Sequence, residues 1–121
     1  MARVLVIDDD QDIGWLVRRM VEARGHDVVV REDGLRGLAA AQRQRPDVIV
    51  LDLMMPVMDG HGVLDELRDD DRTRAIPVVV LTAVALTEAR EHAERAGAAR
   101  FITKPFEPDD LLDAIDALVA G

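Results

Sequence analysis

The chain alternates between short apolar runs and longer stretches in which apolar residues return every three or four positions. The runs Val4–Ile7, Val28–Val30, Val48–Leu51, Val78–Leu81 and Arg100–Ile102 are rich in Val and Ile and bounded by charged or turn residues, so they read as strands. Three of them are apolar at consecutive positions, the pattern of strands covered on both faces. Helical patterns lie between the runs. Ile13, Leu16, Val17, Met20 and Val21 fall on one stripe, with Gly25 as its stop. "DGLRGLAAAQRQR" is a second helix capped by Asp33, and a third runs from about Gly62 to Asp70. Thr87 caps "EAREHAERA", which Gly97 closes, and "EPDDLLDAIDALV" carries Pro108 at the first helical position.

Five β–α units with no internal repeat and no low-complexity linker imply a parallel sheet with helices on both faces and right-handed crossovers. Such sheets place their sites beyond the carboxyl ends of the strands, where the strand order switches direction. Asp8, Asp9 and Asp10 end the first strand, Asp52 ends the third, Thr82 ends the fourth and Lys104 follows the fifth. All of them therefore converge on one rim.

Composition narrows the chemistry. At 121 residues the chain is read as one domain, residues 1–121, long enough for an ordinary core. The absence of cysteine removes disulfides, thiolate catalysis and Cys-based zinc sites. A net charge of −9 and only three aromatic residues, Trp15, Phe101 and Phe106, argue against direct nucleic-acid binding. The apolar start of "MARVLVIDDD" is too short for a signal peptide, and Pro77 to Leu86 is far short of a bilayer span. The expectation is a soluble cytoplasmic domain without membrane insertion.

Clustered carboxylates repel and lose hydration when partly buried, so something must offset the cost. A hard divalent cation such as Mg²⁺ suits Asp8 and Asp9, whereas Asp10 and Asp12 read as helix-capping and first-turn acids. Asp52 beside such an ion is a nucleophile toward a phosphoryl group, with Lys104 to neutralise phosphoryl oxygens and Thr82 to donate a hydroxyl. Taken singly, Asp52 is a turn residue, Thr82 a strand-end cap and Lys104 a surface lysine. Jointly those readings require four independent accidents on one rim.

In "VLVIDDD", "DVIVLDLMMPVMDG", "VVVLTA" and "FITKPF", in that order and at the usual separations, the chain resembles the receiver domain of two-component response regulators over essentially its whole length. The resemblance implies a doubly wound, flavodoxin-like α/β fold with a five-stranded parallel sheet in the order 2-1-3-4-5 and five helices. It implies that Asp52 accepts a phosphoryl group from a phosphohistidine, with Mg²⁺ (Mn²⁺ as an alternative) held by Asp8, Asp9, Asp52 and the Met54 backbone carbonyl. Thr82 and Lys104 contact the phosphoryl group, the Lys104–Pro105 bond is cis, and Pro56, Asp59 and Gly60 shape the loop beside Asp52. Thr82 and Phe101 form the switch, which acts through the fourth-helix, fifth-strand and fifth-helix face. The implied partners are a sensor histidine kinase or phosphotransfer protein, docking at Ile13, Trp15, Leu16 and Phe106, and a downstream effector domain or protein. A phosphorylation-dependent homodimer is a further implied partner. Such a domain is not an enzyme in its own right, although it assists its own phosphorylation and dephosphorylation.

Several positions depart from the family pattern. Met54 and Val84 are apolar where hydrolysis is tuned, which implies a long-lived phosphoaspartate that Met54→Asn with Val84→Glu would shorten. Phe101 lacks a hydroxyl, so packing alone would govern its swing. The last helix carries Glu107, Asp109, Asp110, Asp113 and Asp116 and no base, which does not support the ion-pair network of one dimerising subfamily. These acids read as a solvated face, with Arg90 and Arg95 as conceivable partners. Rival readings are weaker. An EF-hand loop lacks its glycine and distal Glu at the required spacing. A flavin protein would want aromatics and a hydroxyl-rich first loop, and an aspartyl phosphatase would want an Asp-x-Asp pair at Asp52. The remaining alternative is a receiver-like interaction module that works without phosphorylation.

Overall fold

The computed structural model describes residues 2–55, 58–83 and 87–120. Pro56 and Val84 lie outside the described residues. Five strands, β1 (Arg3–Ile7), β2 (Asp27–Arg31), β3 (Val48–Leu51), β4 (Val78–Thr82) and β5 (Arg100–Thr103), alternate with five helices. These are α1 (Gln11–Ala23), α2 (Gly34–Gln44), α3 (Gly60–Asp69), α4 (Thr87–Arg95) and α5 (Pro108–Ala120). The strands form one parallel sheet in the order β2-β1-β3-β4-β5. Every residue of β3 and β4 is buried, which their unbroken apolar runs require.

Strand alternation sorts the core into two layers. Leu5, Ile7, Ile49, Leu51, Val78 and Val80 face α2, α3 and α4. Val4, Val6, Val48, Val50, Val79 and Leu81 face α1 and α5 through Val17, Val21, Leu111 and Ile115.

Helix ends follow their capping chemistry. Asp10 Oδ1 accepts the Asp12 and Ile13 N–H groups at the start of α1, and Asp33 Oδ1 accepts the Arg36 N–H at the start of α2. Gly25 and Gly97, both at φ +88, turn the chain out of α1 and α4.

Three expectations need correcting. Helix α3 begins at Gly60 and not near Gly62, because Asp59 is its cap and accepts the Gly62 N–H at 2.9 Å. Gly60 is also held against the chain before it: a Cβ there would meet Asp52 O at 2.3 Å. Thr87 is the first residue of α4, not a residue preceding it. Leu16 sits at the edge of the α1 stripe and is 41% exposed, since Val17 and Val21 take the buried face.

Candidate functional site

The rim at the carboxyl end of the sheet is built by continuing the strand ladders. The Asp52 N–H donates to Ile7 O at 3.0 Å, and the Lys104 N–H donates to Thr82 O at 2.8 Å. Asp8 leaves β1 beside Asp52, which leaves β3. Both carboxylates are buried, at 3% and 6% exposure, as is Thr82 at the end of β4. Asp9 and Met54 are exposed. The Lys104–Pro105 peptide is cis.

One ammonium joins the two buried acids. Lys104 Nζ donates to Asp8 Oδ2 at 2.8 Å and to Asp52 Oδ2 at 3.4 Å. The other oxygens take backbone donors: Asp8 Oδ1 accepts the Asp10 N–H, and Asp52 Oδ1 accepts the Met54 N–H. Burial pushes the Asp8 carboxyl above its usual range, and the Lys104 hydrogen bond only partly offsets this. For Lys104, burial works against the charged form, but the bonds and charges of Asp8 and Asp52 outweigh it and hold the amine above its ordinary value.

Ligand oxygens of Asp8, Asp9 and Asp52 lie within 4.8 Å of one another. This all-oxygen donor set fits a hard divalent ion. Three carboxylates and one ammonium leave a formal charge of −2, which such an ion balances.

The remaining candidates are distributed around this rim. Phe101 on β5 is half-buried, and the Arg90 guanidinium lies 5.7 Å from its ring centre. Trp15 is 62% exposed, with the Arg19 guanidinium 5.3 Å over its ring, and Leu16 is also on the surface. Ile13 and Phe106 are half-buried against the α1–α5 side of the core.

The acids of α5 are not simply solvated. Asp116 pairs with Arg24 at 2.5 Å and with His26 Nε2 at 2.9 Å. These contacts hold its carboxyl below the usual range, the His26 hydrogen bond contributing most and Arg24 adding to it. Arg24 also reaches Asp109 and Asp113, whereas Arg90 pairs with Glu94 on its own helix. Sequence reading missed this cluster because its partners lie some 90 residues apart. It missed Arg68 as well, whose guanidinium donates to backbone carbonyls beyond its own helix, those of Arg74, Ile76, Ala96 and Gly97.

The doubly wound parallel sheet thus carries an acidic, lysine-bridged rim at its switch point. The response regulator receiver domain model matches residues 4–116. The chain belongs to that family, whose members are the signalling domains of two-component systems and work with histidine kinases and output domains.

Among similar proteins, the DNA-binding dual master transcriptional regulator RpaA of Synechocystis is 42% identical over 119 residues, covering 98% of this chain and 49% of that protein. Protein PilH of Pseudomonas aeruginosa is 36% identical over 121 residues, covering both chains completely. The chain thus spans about half of one relative and all of the other. Among solved structures, the receiver domain of Francisella response regulator 1452 superposes with a TM-score of 0.92 at 34% identity, covering 99% of this chain and 98% of that one. Chemotaxis protein CheY4 of Vibrio cholerae gives 0.91 at 33% identity, with 98% of each chain covered. No helix among the described residues is long and apolar enough to cross a membrane.

Proposed function

We propose that residues 1–121 act as a cytoplasmic phosphoacceptor module in which Asp52 takes a phosphoryl group from the phosphohistidine of a sensor kinase or phosphotransfer protein. One Asp52 carboxylate oxygen forms the new P–O bond, the histidine P–N bond breaks, and the imidazole leaves with its electron pair. The observation that carries this reading is the pairing of Lys104 with both Asp8 and Asp52 beside Asp9, which leaves two negative charges at the rim. Asp8, Asp9, Asp52 and the Met54 carbonyl are the ligand set for Mg²⁺ or Mn²⁺, an ion that supplies charge neutralisation for the transferred oxygens. Lys104 holds one phosphoryl oxygen and the Thr82 hydroxyl donates to another.

Phosphorylation adds negative charge and acceptor oxygens at Asp52. Thr82 follows them, Phe101 moves into the space beside it, and the face formed by α4, β5 and α5 passes the change to an effector or a second copy of the chain. Trp15 and Leu16, exposed near the rim, are the docking anchors for the kinase, with Ile13 and Phe106 setting the shape beneath them.

Intact mass after incubation with acetyl phosphate and Mg²⁺ tests the core of this reading. Wild type gains one phosphoryl group, and Asp52→Asn or EDTA abolishes the gain. A folded wild-type chain that binds Mg²⁺ yet gains no mass would overturn it in favour of an interaction module that works unphosphorylated.

A further inference from the structure

Strand β5 lies at the edge of the sheet, and a short link, residues 104–107, joins it to α5, which packs beside it. An open groove of about 570 Å³ runs between the two elements. Its floor is apolar: Phe101 and Ile102 come from β5 and Phe106 from the link, all half-buried. On the other side Asp110, Asp113, Ala114 and Ala117 recur at helical spacing and form one wall. The two alanines leave room that longer side chains would fill. Glu107, Asp110 and Asp113 stand along the rim and are exposed. Asp113 is 3.9 Å from Arg24 Nη1, and Glu107 and Asp110 form no ion pair among the described residues. The base in the lining, Arg100, donates from Nη1 back to the Ala99 carbonyl at 2.9 Å. The groove thus sets a negative rim over an apolar floor.

We propose that this groove docks a short Lys- and Arg-rich segment of an effector protein, whose apolar residues enter between β5 and α5 while its bases meet Glu107, Asp110 and Asp113. The proposal rests on the reading of the α4, β5 and α5 face as the output face, and it names the chemistry of the partner there. Charge selects the occupant. The acidic rim steers a basic segment and fixes its register, and the floor supplies apolar burial. A second copy of the chain carries the same net charge of −9 and is repelled on approach. Nucleic acid and anionic lipid surfaces are repelled likewise. From Asp110 to Ala117 the wall rises about 10 Å, the length of about two helical turns or three extended residues, so it suits a linear segment.

The test adds a short fluorescein-labelled peptide of Lys and Leu to the full chain at low salt, reading anisotropy together with amide shifts in ¹H–¹⁵N NMR. Intact mass after acetyl phosphate and Mg²⁺ is taken on the same preparation. Binding is expected to move the signals of Phe101, Ile102, Ala114 and Ala117. Glu107→Gln, Asp110→Asn and Asp113→Asn together weaken it about tenfold. Ala117→Gln, which narrows the groove without changing its charge, weakens it too. Asp65→Asn, Glu66→Gln and Asp69→Asn remove the same charge from α3, across the sheet from α5, and leave the affinity within about twofold. Every substituted residue is exposed, so the variants keep the fold. Equal weakening by the two triple variants, signal movement away from the groove, or self-association in place of peptide binding would each overturn the proposal. A chain that gains a phosphoryl group but binds no peptide at the groove refutes the docking and leaves the phosphoacceptor reading intact. One that binds peptide there and gains no phosphoryl group refutes that reading and upholds the groove.

Discussion

Replacing Lys104 with Met removes the ammonium that faces Asp8 and Asp52 while keeping most of the side chain's length. The ammonium lies 2.8 and 3.4 Å from the two carboxylates, and the three side chains are only 15%, 3% and 7% exposed. At an effective permittivity of about 20, the gross attractions are about 6 and 5 kcal/mol. Desolvation of all three groups consumes most of that in the wild type. In the variant the carboxylates stay buried without their counter-charge, so the net loss is that of breaking a buried pair, about 3–5 kcal/mol. The loss also depends on pH. Burial already raises Asp8 above its ordinary 3.8, and removing the Lys104 hydrogen bond raises it further. A carboxyl whose folded pKa lies above its unfolded value binds more protons folded than unfolded, so stability grows as pH falls through that interval. The interval reaches higher in Lys104→Met, and its deficit against wild type therefore narrows from neutral to mildly acidic pH. Urea unfolding of both proteins in EDTA at the two pH values measures this directly. A deficit under about 1 kcal/mol at neutral pH, the value of an exposed pair, would refute the reasoning. So would a deficit that does not change with pH.

Arg68→Met strips four backbone carbonyls of a shared, half-buried donor and costs about 2–4 kcal/mol in urea unfolding. Arg68→Lys recovers only part of this, because an ammonium cannot reproduce the fork. Arg45 ends α2 at φ 44, a left-handed conformation that costs a side-chain-bearing residue about 1 kcal/mol. Arg45→Gly is accordingly expected to raise the thermal midpoint by about 3–5 °C in calorimetry. His61, whose basicity burial and His92 depress below 6.5, binds fewer protons folded than unfolded just under that pH, so it costs stability as the medium is acidified. In metal-free buffer, His61→Asn therefore unfolds with a flatter pH dependence between mildly acidic and neutral conditions than wild type does.

Sequence carried the architecture and the rim further than it carried the contacts around them. Strand and helix identities follow from local signals: continuous apolar runs for β3 and β4, Asp caps at positions 10 and 33, Pro108 opening α5. The start of α3 was misplaced because Asp59 and Gly60 read as part of the loop beside Asp52, whereas Asp59 caps the helix and Gly60, packed against the Asp52 carbonyl, opens it. The grouping of Asp8, Asp9, Asp52 and Lys104 was legible because each ends or follows a strand. The pairing of Lys104 with both buried acids was not, since side-chain reach is absent from periodicity. Asp116 is the sharpest contrast. Its position late in α5 opposes the helix dipole and reads as a solvated acid, yet Arg24 from the α1–β2 turn brings the opposite charge to it and His26 adds a hydrogen bond.

Sheet register explains why the rim can be both strained electrically and well ordered. Ile7 pairs with Leu51, so Asp8 and Asp52, one step further along, emerge side by side. Thr82 pairs with Thr103, so Lys104 follows at the height where it meets them. A slip of one residue would send Leu5 and Ile7 into the layer now filled by Val4 and Val6, and the two helix layers packed on the sheet forbid it. The spacing of the charged groups is thus set by apolar packing below the rim and not by their own attraction. That separation lets three carboxylates converge where their mutual repulsion would otherwise drive them apart. It also makes an acid's charge at the rim replaceable without loss of the fold: an acid there exchanged for its amide loses its charge, while the buried strands continue to hold its neighbours in place.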